Sequence, residues 1–169
     1  MMYSFEQRES DLRRWANELD LKFSNDFLER MTLLHSGFEY EMDALRKEFN
    51  QEEANLHERF NQLRGTVIEE FNQWAEVFWH DPQQSGRLSP EEKSAELARI
   101  HNQELAKLEE SFNRQRAALE EAFNQRKAAA ERELARQETL IKEELHGLRD
   151  ELNNAFDQHM AALRAEYGR

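Results

Sequence analysis

The chain has 169 residues, 34% of them charged, with five Gly, two Pro, no Cys and a formal net charge of −12. The length suits one domain, and the abundance of Glu, Arg, Ala, Leu and Gln favours long helices, yet 11 Phe and 3 Trp are too many for a charged, disordered chain. Residues 1–79 carry 9 basic and 17 acidic side chains and residues 80–169 carry 14 and 18, so neither half is a basic arm; nucleic-acid binding and adsorption to an anionic membrane are disfavoured, and a disulfide framework or thiol chemistry is excluded.

The N-terminal stretch MMYSFEQRESDLRRW lacks the apolar core of a signal peptide, and no run approaches the ~18 apolar residues of a membrane span. A soluble, intracellular, cytoplasmic protein is expected. From about residue 4 to 79 the sequence repeats itself. The tripeptide Phe-Asn-Gln begins at Phe49, Phe60, Phe71 and again at Phe123, and Phe27, Phe38, Phe49, Phe60 and Phe71 stand eleven residues apart. A second column with the same step runs Phe23, Leu34, Leu45, Leu56, Val67, Phe78. Eleven residues over three turns is 3.67 per turn, against about 3.6 for an unstrained helix, so both columns stay on one slowly drifting stripe. The spacing therefore predicts one long helix with a hendecad repeat.

Residues 80–89 break the pattern with both prolines nearby and Gly86. Ser89 followed by Pro90, with Glu92 three residues on, reads as the start of a second helix over about 90–167. There the step returns as Phe112, Phe123, Leu134, Leu145, Phe156, Tyr167, beside Leu97, Leu108, Leu119, Ala130, Ile141, Leu152, Leu163. At ~1.5 Å per residue each helix would be about 115 Å long. Gly37, Gly65 and Gly147 interrupt the helices, marking bends, close contacts or tolerated surface positions.

One apolar stripe per helix needs a partner, and the nearest is the other helix folded back. The predicted fold is all-α: a single elongated antiparallel two-helix hairpin over 1–169, a coiled coil, with dimerisation into a four-helix bundle as a further expectation. Facing residues of an antiparallel pair have a constant sum of numbers. A sum of 168 sets Phe71 on Leu97, Phe60 on Leu108, Phe49 on Leu119 and Phe27 on Ile141, each ring against an aliphatic residue. Near the same sum Asp20 faces Arg149, Arg30 faces Glu138, Glu41 faces Arg126, Glu53 faces Arg116 and Arg64 faces Glu104. A competing register, at sums of 172 and 175, stacks Phe49 on Phe123 and Phe60 on Phe112. A flanking set of small or apolar residues (Leu33, Ala44, Ala54, Ala117, Ala118, Ala128, Ala129, Leu140) could receive a second hairpin.

Six histidines are scattered along the chain, and Glu143-Glu144-Leu145-His146 provides one Glu-x-x-His motif where a bundle di-metal site needs two. No glycine-rich phosphate loop or nucleophile elbow occurs. No enzyme activity, cofactor or metal is expected. The expected function is a structural or protein-interaction rod, a spacer, scaffold or self-assembling element with itself and other proteins as partners. The alternative is a reversible lipid-surface binder. The chain resembles apolipoprotein-like and synuclein-like proteins, and stress proteins with 11-residue repeats, in period only; that resemblance implies lipid or protective roles, which the acidic charge and the large aromatics oppose.

Overall fold

The computed structural model describes residues 3–169. α1 runs Phe5–His80, α2 is the short turn Pro82–Ser85, and α3 runs Pro90–Glu166. The chain is all-α: no strand occurs among the described residues, and α1 and α3 pack against each other. No helix among those residues is long and apolar enough to cross a membrane.

Local chemistry sets the helix ends. At the start of α1 the Ser4 hydroxyl accepts from the Gln7 N–H at 3.2 Å, while the Gln7 amide oxygen accepts from the Ser4 N–H at 3.3 Å. This reciprocal capping box satisfies two donors that the first turn leaves unpaired. At the start of α3, Ser89 Oγ accepts from the Glu92 N–H at 3.1 Å. Between the long helices Asp81 caps α2 by accepting from the Gln83 N–H at 2.8 Å, and the buried Ser85 hydroxyl donates back to the Asp81 carbonyl at 2.9 Å. Gly86 then takes φ 58°, ψ −130°, a conformation that side chains with a Cβ resist. α3 ends with Gly168 at φ 69°, where the Arg169 N–H reaches the Arg164 carbonyl at 2.8 Å in the six-to-one bond of a Schellman motif.

Contacts divide the chain into two units. The first comprises residues 1–42 and 128–169. Its buried residues are Phe5, Met42, Ala130, Ile141, Leu152, Met160 and Leu163. Phe5, Met160 and Leu163 form one cluster, with Leu12, Phe156 and Tyr167 packed on it. Met42 and Met160 each stand four residues after a ring of the repeating column, Phe38 and Phe156, on the same side of their helices. Phe27, Phe38, Leu34, Leu134, Leu145 and Phe156 are half-buried in this unit.

The second unit comprises residues 43–127 and includes the turn. Leu45, Leu56 and Phe78 are buried; Phe49, Phe60, Val67, Phe71, Leu108, Phe112, Leu119 and Phe123 are half-buried. Here the pairing differs from the ring-on-aliphatic expectation. Phe49 meets Phe123 with ring centroids 4.8 Å apart, and Phe60 meets Phe112 at 4.5 Å, both sums of 172. Phe71 meets His101 at 4.5 Å at the same sum. In the first unit Phe5 meets Tyr167 edge-on at 5.8 Å, again a sum of 172.

The sum of 168 is therefore corrected. A change of four residues slides one helix by about 6 Å, close to one turn, so the same faces still meet and the apolar pattern alone does not choose between the registers. Tilted ring pairs add about 0.5–1.5 kcal/mol each beyond area burial, which favours ring on ring. A sum of 175 for the second column would be compatible with 172 for the rings, because a backbone level midway leaves each pair off by about 2 Å, within side-chain reach.

Candidate interaction surfaces

The polar side chains along the seam sort into cross-helix pairs and pairs within one helix. In the first unit Arg149 donates to Asp20 at 2.9 Å and to the Ser24 hydroxyl at 2.6 Å. Arg30 pairs with Glu144, and Glu138 takes His35 at 2.9 Å, so the expected Arg30–Glu138 pair is replaced by two others. Each carboxylate takes a partner displaced toward the ring-pair register: Arg30–Glu144 sums to 174 and His35–Glu138 to 173. In the second unit Arg116 lies 3.4 Å from Glu53, which also receives His57 at 3.7 Å. Arg126 reaches Glu48 at 3.0 Å. Arg64 and Glu104 are not joined; Glu104 sits on Lys107 at 3.6 Å, one turn along its own helix. Most of these groups are substantially exposed, so each pair contributes about 0–1 kcal/mol and acts mainly on register.

The ends of α1 and α3 that belong to the first unit are tied closely. The Tyr167 hydroxyl donates to the Tyr3 carbonyl, Arg8 pairs with Glu166 at 2.7 Å, and Arg169 pairs with Glu6 at 3.2 Å while its guanidinium covers the Phe5 ring at 4.3 Å. The Glu6 carboxyl is held below the usual carboxylate range, first by a backbone hydrogen bond and then by Arg169. Elsewhere on α3, Arg136 and then Gln137 hold Glu133 down at about 2. Trp15 stacks edge-on against His159 at 5.6 Å. In the second unit Trp74 stacks on Phe78 at 5.2 Å, and the Lys93 ammonium lies 5.4 Å over the Trp79 ring while donating to the Trp79 carbonyl at 3.1 Å.

Five of the six histidines are exposed; His101 is not. His101 lies half-buried, one eleven-residue step before Phe112, and takes a ring position in the seam. Its Nδ1 is buried without a hydrogen-bond partner. His57 also packs against Phe112, at 4.9 Å. Extending the ring column one step back from Phe112 would have found His101; counting histidines by type did not. Among the described residues no group of three or more His, Asp or Glu is arranged to hold a metal ion.

The glycines inside the helices face open space: a Cβ added at Gly37, Gly65 or Gly147 would meet nothing within 4 Å. They mark no close helix contact. Apolar side chains also remain uncovered. In the first unit Leu33 is 67% exposed and Tyr40 79%. In the second unit Leu63 is 54% exposed, at one end of an open groove of about 870 Å³ between α1 and α3 and its smaller continuation. The groove has an apolar floor of Leu56, Ala118 and Leu119, amides from Asn55, Gln62 and Gln115, and the charged groups Glu52, Glu58 and Arg59 along its α1 side. No family model matches the chain, and neither a curated protein nor a solved structure matches it.

Proposed function

We propose that this chain is a non-enzymatic, cytoplasmic coiled-coil element that spaces, scaffolds or assembles proteins, copies of itself included. The hendecad columns would hold its two long helices together, and the uncovered grooves would meet partners. One observation carries the reading. Three consecutive ring layers of the second unit, Phe49–Phe123, Phe60–Phe112 and Phe71–His101, recur at eleven-residue steps on both helices. A seam built this regularly spends the large aromatic side chains on helix–helix packing rather than on lining a pocket for a small molecule.

Circular dichroism during heating, together with sedimentation and cross-linked partner capture, tests the proposal. High helicity in dilute buffer, a cooperative melt and discrete protein complexes are expected. Low helicity with no cooperative melt would refute it. Co-sedimentation with vesicles addresses the lipid-surface alternative: helicity and solubility unchanged by lipid are expected, and helix gained only on vesicles would favour the alternative.

A further inference from the structure

The α1 side of the groove in the second unit is one stripe of that helix. Glu52, Asn55, Leu56, Arg59 and Gln62 all line it, at the three- and four-residue steps that keep side chains on one helical face. Two properties of that stripe decide what fits it. The first is its mixed charge. Glu52 and Glu58 are opposed by Arg59 in the same groove, so an occupant carrying a single sign of charge would meet a like charge wherever it lay. The second is the spacing. Glu52 and Arg59 are seven residues apart, two helical turns or about 10 Å along the axis. A two-fold axis crossing α1 between Asn55 and Leu56 carries position 52 onto 59 and position 59 onto 52.

From this we infer that the groove is a self-complementary docking face for a second copy of this chain, with α1 laid antiparallel on the second copy's α1. This inference rests on the coiled-coil reading above and names its interface. Each Glu52 meets the second copy's Arg59 and each Arg59 meets the second copy's Glu52, so one contact is made twice, as an isologous interface requires. Asn55 sits beside the axis. Its amide oxygen already accepts from Gln51 Nε2 at 3.0 Å, which leaves its N–H groups to face the second copy across the axis. The apolar floor of Leu56, Ala118 and Leu119, with Leu63 at the edge, supplies the area removed from water, while the charges set register and direction. The net charge of −12 per copy does not prevent this, because at physiological ionic strength charges beyond about 8 Å are screened and the Glu52–Arg59 contacts are short-ranged.

The test uses full-length chains in sedimentation velocity and native mass spectrometry. Wild type is expected to be dimeric at micromolar concentration. Glu52→Arg alone sets Arg on Arg at both contacts, and Arg59→Glu alone sets Glu on Glu, so each weakens dimerisation by about tenfold or more. Mixed in equal amounts, the two variants restore both contacts and form a heterodimer at a concentration where neither self-associates. The double variant Glu52→Arg/Arg59→Glu recovers homodimers. Both positions line an open groove, and unchanged circular dichroism confirms that each variant is folded. A monomeric wild type with a cooperative helical melt overturns this interface while leaving the coiled-coil reading standing. Dimers indifferent to the single reversals, or single variants that fail to pair on mixing, also overturn it. Loss of helicity in wild type would instead refute the coiled-coil reading.

Discussion

The register rests on rings meeting rings, and a double-mutant cycle on Phe49 and Phe123 measures that directly. Their centroids are 4.8 Å apart with planes inclined at 36°, and both rings are half-buried. Truncating a fully enclosed Phe to Ala costs about 3–5 kcal/mol, so about half of that is expected for each single change here. Replacing each by Leu is gentler and preserves helix and volume better, costing about 1–1.5 kcal/mol. The informative quantity is the coupling. A tilted ring pair contributes about 0.5–1.5 kcal/mol beyond area, so the double Leu variant should be less destabilised than the sum of the singles by about 1 kcal/mol. Urea unfolding followed by circular dichroism, with the slope held constant across variants, reads all four members. The parallel cycle on Phe60 and Phe112 should give a similar coupling. Phe49 with Leu119 should give the smaller value of a neighbouring layer. A coupling near zero for Phe49–Phe123 together with a large one for Phe49–Leu119 would return the helices to the register one turn away and refute the ring-on-ring account.

The glycines give opposite signs. Gly37→Ala, Gly65→Ala and Gly147→Ala should each stabilise by about 0.5–1 kcal/mol in thermal or urea melts, since a Cβ meets open space, whereas Gly86→Ala, at φ 58°, should destabilise by about 1–3 kcal/mol; a loss at the helical sites or a gain at Gly86 would contradict the backbone described. Arg116→Glu should lower stability, by about 1 kcal/mol at most, and Glu53→Arg in the same chain should restore part of the loss, because the two groups lie 3.4 Å apart; absence of any rescue would remove the pair from the seam. Glu133 should remain ionised well into acid. Its carboxyl, held at about 2 by Arg136 and Gln137, makes a contribution present above the ordinary carboxylate range and lost as the pH falls through about 2. Carboxyl-carbon NMR should place its midpoint there, and Arg136→Ala should return it toward 4.5.

The all-α fold and the pairing of two long helices were legible because one eleven-residue period marks both halves. A period that near-matches the helix repeat leaves little room for a strand. The register was harder. A slide of one turn keeps every column facing its counterpart, and a long Arg side chain reaches across such a slide. Asp20–Arg149 and Glu53–Arg116, at sums of 169, therefore coexist with ring pairs at 172. Requiring a single sum treated residues as points on a ladder, whereas side chains lean along the helix and fill gaps between partner residues. Other features escaped for narrower reasons. Ser4 with Gln7 forms a capping box that Ser89 with Glu92 overshadowed, and His101 was grouped by residue type when its place in the column decided its surroundings. The groove beside Leu63 depends on which residues flank the seam at the adopted register, so no composition or period could have located it.

The placement of the three tryptophans gives the molecule an internal means of reporting on its own unfolding. Trp15 lies in the first unit against His159, whereas Trp74 and Trp79 lie in the second, against Phe78 and under Lys93. Emission from a chain retaining only Trp15 senses loss of packing among residues 1–42 and 128–169, and emission from one retaining only Trp74 or Trp79 senses residues 43–127. Superimposable denaturation curves from the two would mark one cooperative transition, and a gap between them would measure directly how independently the two stretches of the same pair of helices melt.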